Sequence, residues 1–202
     1  MHTGTPHRDA ASEKLSGLGK RFFQFIEFDE DEELVLEIRK HPFGLFLVEF
    51  TGFFITIFVA GIIAASAFLL DNFLAEEVQN LSGVQTAIIF IALIVALFGI
   101  GATFVSALIY KNNVIFVTNE KIAQVLYKNI IDRKISQLSI GDVQDVTVTQ
   151  DGLFSRLFNY GTLVIETAGE QQNYTFTFVP KPYESAQNIV GAHERNLRNY
   201  GN

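Results

Sequence analysis

The 202-residue chain carries 22 acidic against 15 basic residues, a net charge of −7, yet 49% of it is hydrophobic. It contains no cysteine, which excludes disulfides, thiolate metal sites and thiol nucleophiles together. The acidic excess sits in residues 1–41 (6 basic, 9 acidic) and 42–110 (none and 4), while 111–202 holds 9 of each. No region is a basic module, so nucleic acid is not an expected partner and attraction to anionic lipid is weak, each surface cation contributing only about 1 kcal/mol.

Residues 1–20 are rich in Gly, Ser, Thr, Lys and His and are expected to form a disordered tail. In the following cytoplasmic segment, residues 21–41, Phe22, Phe23, Phe25, Ile26 and Phe28 precede the acidic run Asp29–Glu33. These rings either anchor at a membrane interface or pack on a folded domain, and the second is the expectation. Leu34–Ile38 alternates apolar residues and is compatible with a short strand.

Two long uncharged runs follow, the 21 residues Phe50–Leu70 and the 33 residues Val78–Tyr110. A bilayer core of about 30 Å is crossed by about 20 apolar helical residues, so residues 42–110 are read as two transmembrane helices, at 45–70 and 84–110. Ala87–Tyr110 is apolar on every face, unlike the single stripe of a surface helix, and the first run is too long for a signal-peptide h-region. Arg39 and Lys40 precede the first span and Lys111 follows the second, whereas Asp71–Thr86 between them has Asp71, Glu76 and Glu77 and no Lys or Arg. The positive-inside rule then puts both termini in the cytoplasm and the short loop outside, in the cytoplasmic (inner) membrane. Arg39, Lys40, Lys111 and Lys121 are the candidate membrane-surface contacts. The sequons at Asn80 and Asn173 carry no weight, being three-residue matches. Glu49 lies eight residues beyond His41, and is read as a boundary residue in preference to part of an ion path. Gly61 with Ala65, and Ala92 with Ala96, suit close packing of the two spans, or a homo-oligomer contact as the lesser alternative.

The remaining residues, 111–202, read as strands first and a helix last. Val114–Thr118, Ile122–Lys128, Ile130–Leu138, Val143–Thr149, Leu163–Thr167 and Asn173–Phe178 are the six candidate strands, with turns at Asn119-Glu120-Lys121 and Ala168-Gly169-Glu170. Pro180 ends the last strand and Pro182 suits the first turn of a helix. Ala186, Ile189, Val190, His193 and Leu197 form a stripe that should close the sheet, with His193 a packing residue, since no acidic or His cluster recurs at metal spacing.

Two spans followed by Asn113, then Val117-Thr118-Asn119-Glu120-Lys121-Ile122, then Arg156 to Gly169 (RLFNYGTLVIETAG), resemble bacterial membrane proteins carrying a pleckstrin-homology-like (PH-like) domain. The resemblance covers about residues 34–190, and Asn159 stands where family members often have Gly. It implies a membrane α-helical hairpin plus a small mainly-β domain, a partly open antiparallel barrel of seven strands capped by a C-terminal helix. With six strands counted, either a boundary is misread or Leu34–Ile38 is the seventh. The resemblance brings no catalytic residues. Phosphoinositide-binding members of the wider fold place several Lys and Arg around the first hairpin loop, where this chain offers only Lys121, beside Glu120.

Arg156, Phe158, Asn159, Tyr160 and Gly161 allow two readings. They are a recognition loop presenting a guanidinium and a ring, or a structural loop in which Phe154, Leu157 and Phe158 plug the barrel while Asn159 and Gly161 supply a tight backbone. The second is the expectation. No cofactor or metal is implied, and catalysis is not expected: the chain has no P-loop and no Gly-x-Ser-x-Gly, and Gly17-Leu18-Gly19-Lys20 lacks phosphate-loop spacing. The expected function is a membrane-anchored binding or scaffold module that docks a membrane or cytoplasmic protein or peptide. The alternative is an accessory subunit of a lipid-handling or transport complex.

Overall fold

A computed structural model of the chain describes residues 15–23, 26, 32–74, 80–167 and 173–201. The expected turn at 168–170 and most of the expected tail and aromatic segment lie outside the described residues. The chain divides into two compact units, Met1–Gly44 with Ile109–Asn202, and Leu45–Leu108.

Helix α1 spans Gly17–Phe23, and two long helices follow, α2 (Pro42–Leu74) and α3 (Leu81–Lys111). Their stretches Pro42–Leu70 and Leu81–Lys111, 29 and 31 residues, are long and apolar enough to cross a membrane, each exceeding the roughly 30 Å hydrocarbon core at 1.5 Å per residue. Within the helical unit the close approach is made by Gly52 and Thr56 of α2 against Thr103 and Gly99 of α3. A Cβ on Gly52 would stand 2.4 Å from the Thr103 hydroxyl, and one on Gly99 2.4 Å from that of Thr56. Each threonine hydroxyl donates to the glycine carbonyl one turn back in its own helix, Thr56 to Gly52 at 2.8 Å and Thr103 to Gly99 at 2.9 Å. The two Gly-x-x-x-Thr motifs thus interlock antiparallel with both hydroxyls bonded inside their own helices. Of the pair Ala92 and Ala96, the first is buried and the second half-buried. Gly61 and Ala65 are not part of the close approach: both are exposed, and nothing lies within 4 Å of a Cβ on Gly61.

Among the described residues the other unit holds seven strands in two antiparallel sheets that do not close on each other. One has the order β1 (Leu34–Arg39), β2 (Val114–Thr118), β3 (Lys121–Tyr127), β4 (Arg133–Ser139); the other is β5 (Val143–Thr149), β6 (Tyr160–Thr167), β7 (Tyr174–Pro180). The seventh strand is β1: Arg39 pairs with Val114 and Leu36 with Val117, so the mainly-β fold takes in the segment before α2 and is not confined to 111–202. Strand β2 is buried along its whole length. Its alternation sends Ile115 and Val117 into the main core with Ile38, Leu163, Ile165, Phe176 and Ile189. Val114 and Phe116 turn to the opposite face, under Leu15 and Ile26. Leu15 and Ile26 are 6% and 2% exposed, so residues 15–20 contradict the expected disordered tail. They cover an apolar sheet face that water would otherwise meet.

Several details of the 111–202 segment differ from the sequence reading. The third strand of 111–202 begins at Arg133 and not at Ile130, because the Asn129 side chain accepts the N–H groups of Ile131 and Asp132 (2.9 and 2.6 Å) and holds a turn. A short helix, α4 (Gly152–Leu157), occupies what was read as loop, and β6 starts at Tyr160. The final helix, α5 (Pro182–Tyr200), closes the main core with Ile189 and Ala192, both fully buried, while Val190 and Leu197 are 40% and 37% exposed. The buried stripe therefore lies beside the expected one. His193 does pack, its Nδ1 lying 2.7 Å from the Ile140 carbonyl.

Candidate functional site

The first conspicuous motif, Val117 to Ile122, builds a polar hub at the β2–β3 turn. The Thr118 hydroxyl donates to Glu32 Oε1 at 2.5 Å and accepts the Lys121 N–H at 2.9 Å. Asn119 Oδ1 accepts the Glu33 N–H at 2.7 Å, and the Asn119 N–H returns a bond to the Glu33 carbonyl at 3.1 Å. Lys121 Nζ lies 2.9 Å from Glu32 Oε2, the glutamate side chain being wholly buried and the lysine 18% exposed. A buried carboxylate requires such compensation. This turn therefore docks residues 32–33 onto the sheet, and the sole lysine of the first hairpin is engaged internally. Asn113 has a like role, accepting the Tyr127 N–H at 2.7 Å.

The other candidate surface cations separate in the same way. Arg39 pairs with Glu37 at 2.6 Å and also reaches the Ser16 hydroxyl. Lys40 donates to Thr177 Oγ1 at 3.2 Å and lies over the Tyr110 and Phe176 rings, 5.2 and 5.7 Å from their centroids. Burial pushes its ammonium below the ordinary lysine value. Lys111 is exposed at the end of α3, with no ion pair to any described residue.

His41 organises the entry to α2. Its backbone N–H donates to the Phe178 carbonyl at 2.6 Å, and its own carbonyl accepts the Tyr110 hydroxyl at 2.7 Å. Its Nδ1 accepts the Phe43 N–H at 3.1 Å, so the imidazole caps one of the unpaired donors that open a helix. Desolvation holds this ring below the usual histidine pKa. That sense agrees with the geometry, since a protonated Nδ1 would face an N–H donor. Around His41 the rings form a continuous cluster. Tyr160 stacks with His41 (5.5 Å), Phe43 (5.5 Å) and Phe178 (5.1 Å), and Phe43 stacks in turn with Phe158 (4.5 Å) and Phe154 (5.8 Å). Phe178 sits at φ 58°, a backbone region costly for an aromatic residue; this turns β7 so that carbonyl and ring both reach the cluster.

The second motif, Arg156 to Gly161, divides between structure and surface. Asn159 adopts φ 50°, a left-handed conformation that asparagine tolerates, and its carbonyl accepts the Lys181 N–H at 2.9 Å. Gly161 is required by close approach and not by φ: a Cβ there would lie 2.7 Å from the Thr149 carbonyl oxygen. Tyr160 is half-buried and its carbonyl accepts from Gln150 Nε2 at 3.0 Å. The expected plug is absent, however. Phe154, Leu157 and Phe158 are 57%, 68% and 42% exposed, and the core between the sheets is filled by residues of both sheets and the final helix. Arg156 is exposed and bonded to no neighbouring carbonyl among the described residues.

A cavity of about 170 Å³ lies beside this loop, lined by Thr149, Asp151, Ser155, Tyr160, Gly161, Thr162, Thr177 and Phe178. It is below the roughly 300 Å³ at which cofactor-sized ligands are accommodated, and its one charged side chain is a carboxylate, which disfavours phosphate. Among the described residues no three His, Asp or Glu side chains gather as a metal site. Residues 44–189 match the family model described as Bacterial PH domain. No curated protein and no solved structure matches the chain.

Proposed function

The chain belongs to the bacterial PH-domain family, and on that premise we propose that it is a membrane-anchored, non-catalytic binding module that docks a protein or peptide partner. The observation that carries this reading is the pairing of β1, which ends just before α2, with β2, which begins just after α3. The folded unit is thereby tethered at two points, and both tethers leave the membrane on the same side. Arg39, Lys40 and Lys111 flank the helices there, and the positive-inside rule supports reading that side as the cytoplasmic face of the inner membrane. A module fixed at that surface gains effective concentration for any partner working at the membrane. The helical pair supports anchoring in preference to transport, since its buried hydroxyls at Thr56 and Thr103 bond within their own helices and line no polar path.

The test is crosslinking in intact membranes, with photoreactive residues at Tyr183 and Val190 on the exposed side of α5. A discrete adduct from these positions, absent when the probe is placed at Phe54 in α2, is the expected result. No adduct from either position in cells making the chain at its natural level overturns the docking reading.

A further inference from the structure

Helix α4 is built inside out for a water-facing element. Its buried position is a small polar one, Ser155, 2% exposed, with its hydroxyl turned back to the Gly152 carbonyl at 2.8 Å. Its outward positions, with the residue that follows it, are Leu153, Phe154, Leu157 and Phe158, exposed by 75%, 57%, 68% and 42%. Four large apolar side chains within six consecutive residues form a contiguous patch, unlike the singly scattered apolar residues normal for a soluble surface.

We propose that this α4 patch, Leu153, Phe154, Leu157 and Phe158, lies in the lipid interface and holds the PH-like unit down on the bilayer. What covers the patch is indicated by Phe43. Its ring stacks on Phe158 at 4.5 Å and Phe154 at 5.8 Å, and it is the second residue of α2. The same helix continues with Phe46, Phe50, Phe54 and Phe58, 54–60% exposed on one line at intervals of four, a face turned to acyl chains if α2 spans. Being in contact with the first turn of a span, the patch stands at the depth of the headgroup and acyl boundary, where interfacial helices bury an apolar face by about 5–10 Å. Arg156, exposed on the same turn, supplies a guanidinium at headgroup level.

This inference rests on α2 crossing the membrane, so the experiment tests both. The chain has no native cysteine, and single cysteines at Leu157, Leu153, Ile131 and Phe54 of the full chain can carry bimane in vesicles of phosphatidylethanolamine and phosphatidylglycerol with brominated acyl chains. Ile131, 90% exposed at the β3–β4 turn, reports water, and Phe54 reports the span. Quenching at Leu157 and Leu153 approaching that at Phe54, and at least about threefold above Ile131, is expected of an interfacial helix. Quenching at both no greater than at Ile131, with Phe54 quenched, overturns the inference alone. A label at both sites shielded from brominated lipid and from aqueous iodide means that protein covers the patch, and also overturns it. Loss of quenching at Phe54 overturns the span and the inference together.

Discussion

Replacing Lys121 by Met gives a sharp test of the hub at the β2–β3 turn. The lysine lies 2.9 Å from a glutamate whose side chain is wholly buried. At an effective dielectric of about 20 their attraction is about 6 kcal/mol, most of it offset by the desolvation of both ions. Removing one partner leaves the other charge buried, which typically costs 3–5 kcal/mol. Lys121 is 18% exposed and Glu32 keeps the Thr118 hydroxyl, so water and this bond meet part of the deficit and the expected loss is about 3 kcal/mol. The readout is hydrogen exchange of β2 and β3 amides, measured by mass spectrometry on the full chain in nanodiscs. Amides that exchange through opening of this sheet should speed up by about a hundredfold, since 1.4 kcal/mol is a factor of ten. The double variant Lys121→Met with Glu32→Met should return to within about 1 kcal/mol of the parent, because an apolar pair replaces the ionic one. If Lys121→Met leaves the exchange unchanged but reduces association with anionic vesicles, the lysine is a lipid contact and the reasoning is wrong.

In the helical pair, Gly99→Leu should lower the thermal midpoint in micelles, a forced separation costing about 1–3 kcal/mol, while Gly61→Leu on the open side should not; equal effects would place the seam elsewhere. Because folded His41 has a lowered pKa, the unfolded chain takes up protons below its pKa of about 6.5 that the folded state refuses. Stability should therefore fall as pH drops from that value to the lowered native one and be unaffected by this group above it. His41→Asn, which keeps an acceptor for the Phe43 N–H, should flatten the difference in melting temperature between about pH 7.5 and about pH 5.5, and an unchanged difference would exclude His41 as its source. Gly161→Val should destabilise β6 by about 1–3 kcal/mol through the Thr149 carbonyl, whereas Arg156→Ala should stay within about 0.5 kcal/mol of the parent in exchange measurements.

What the sequence could show followed the range of each interaction. The spans were legible because a 33-residue absence of charge needs no partner to interpret, and the β2–β3 hairpin because its turn and alternation are local. Strand β1 was ambiguous alone, since six residues acquire their meaning only from a partner strand far along the chain. The pairing of Lys121 with Glu32 was invisible for the same reason, and a hairpin lysine read as a surface contact became an internal one. Among several pairs of small residues four apart, the sequence could not say that Gly52 and Thr56 face the neighbouring helix while Gly61 and Ala65 face away. The misplaced plug has a different cause: Phe154, Leu157 and Phe158 were assigned to a core by the rule that apolar residues go inside, a rule that assumes water outside.

The order in which β1 and β2 leave the ribosome has a consequence for biogenesis. Arg39 meets its partner Val114 only after 75 further residues, including both long helices, have been made. At about 5–20 residues per second the interval is several seconds or more, during which Leu34 and Ile38 have no sheet to enter. Should only one helix insert, the two strands would be stranded in different compartments and the sheet could never nucleate. Pairing of β1 with β2 therefore requires that both flanks of the hairpin end on one side, and a chain with a single inserted helix would keep an unpaired apolar strand, the kind of edge that invites aggregation.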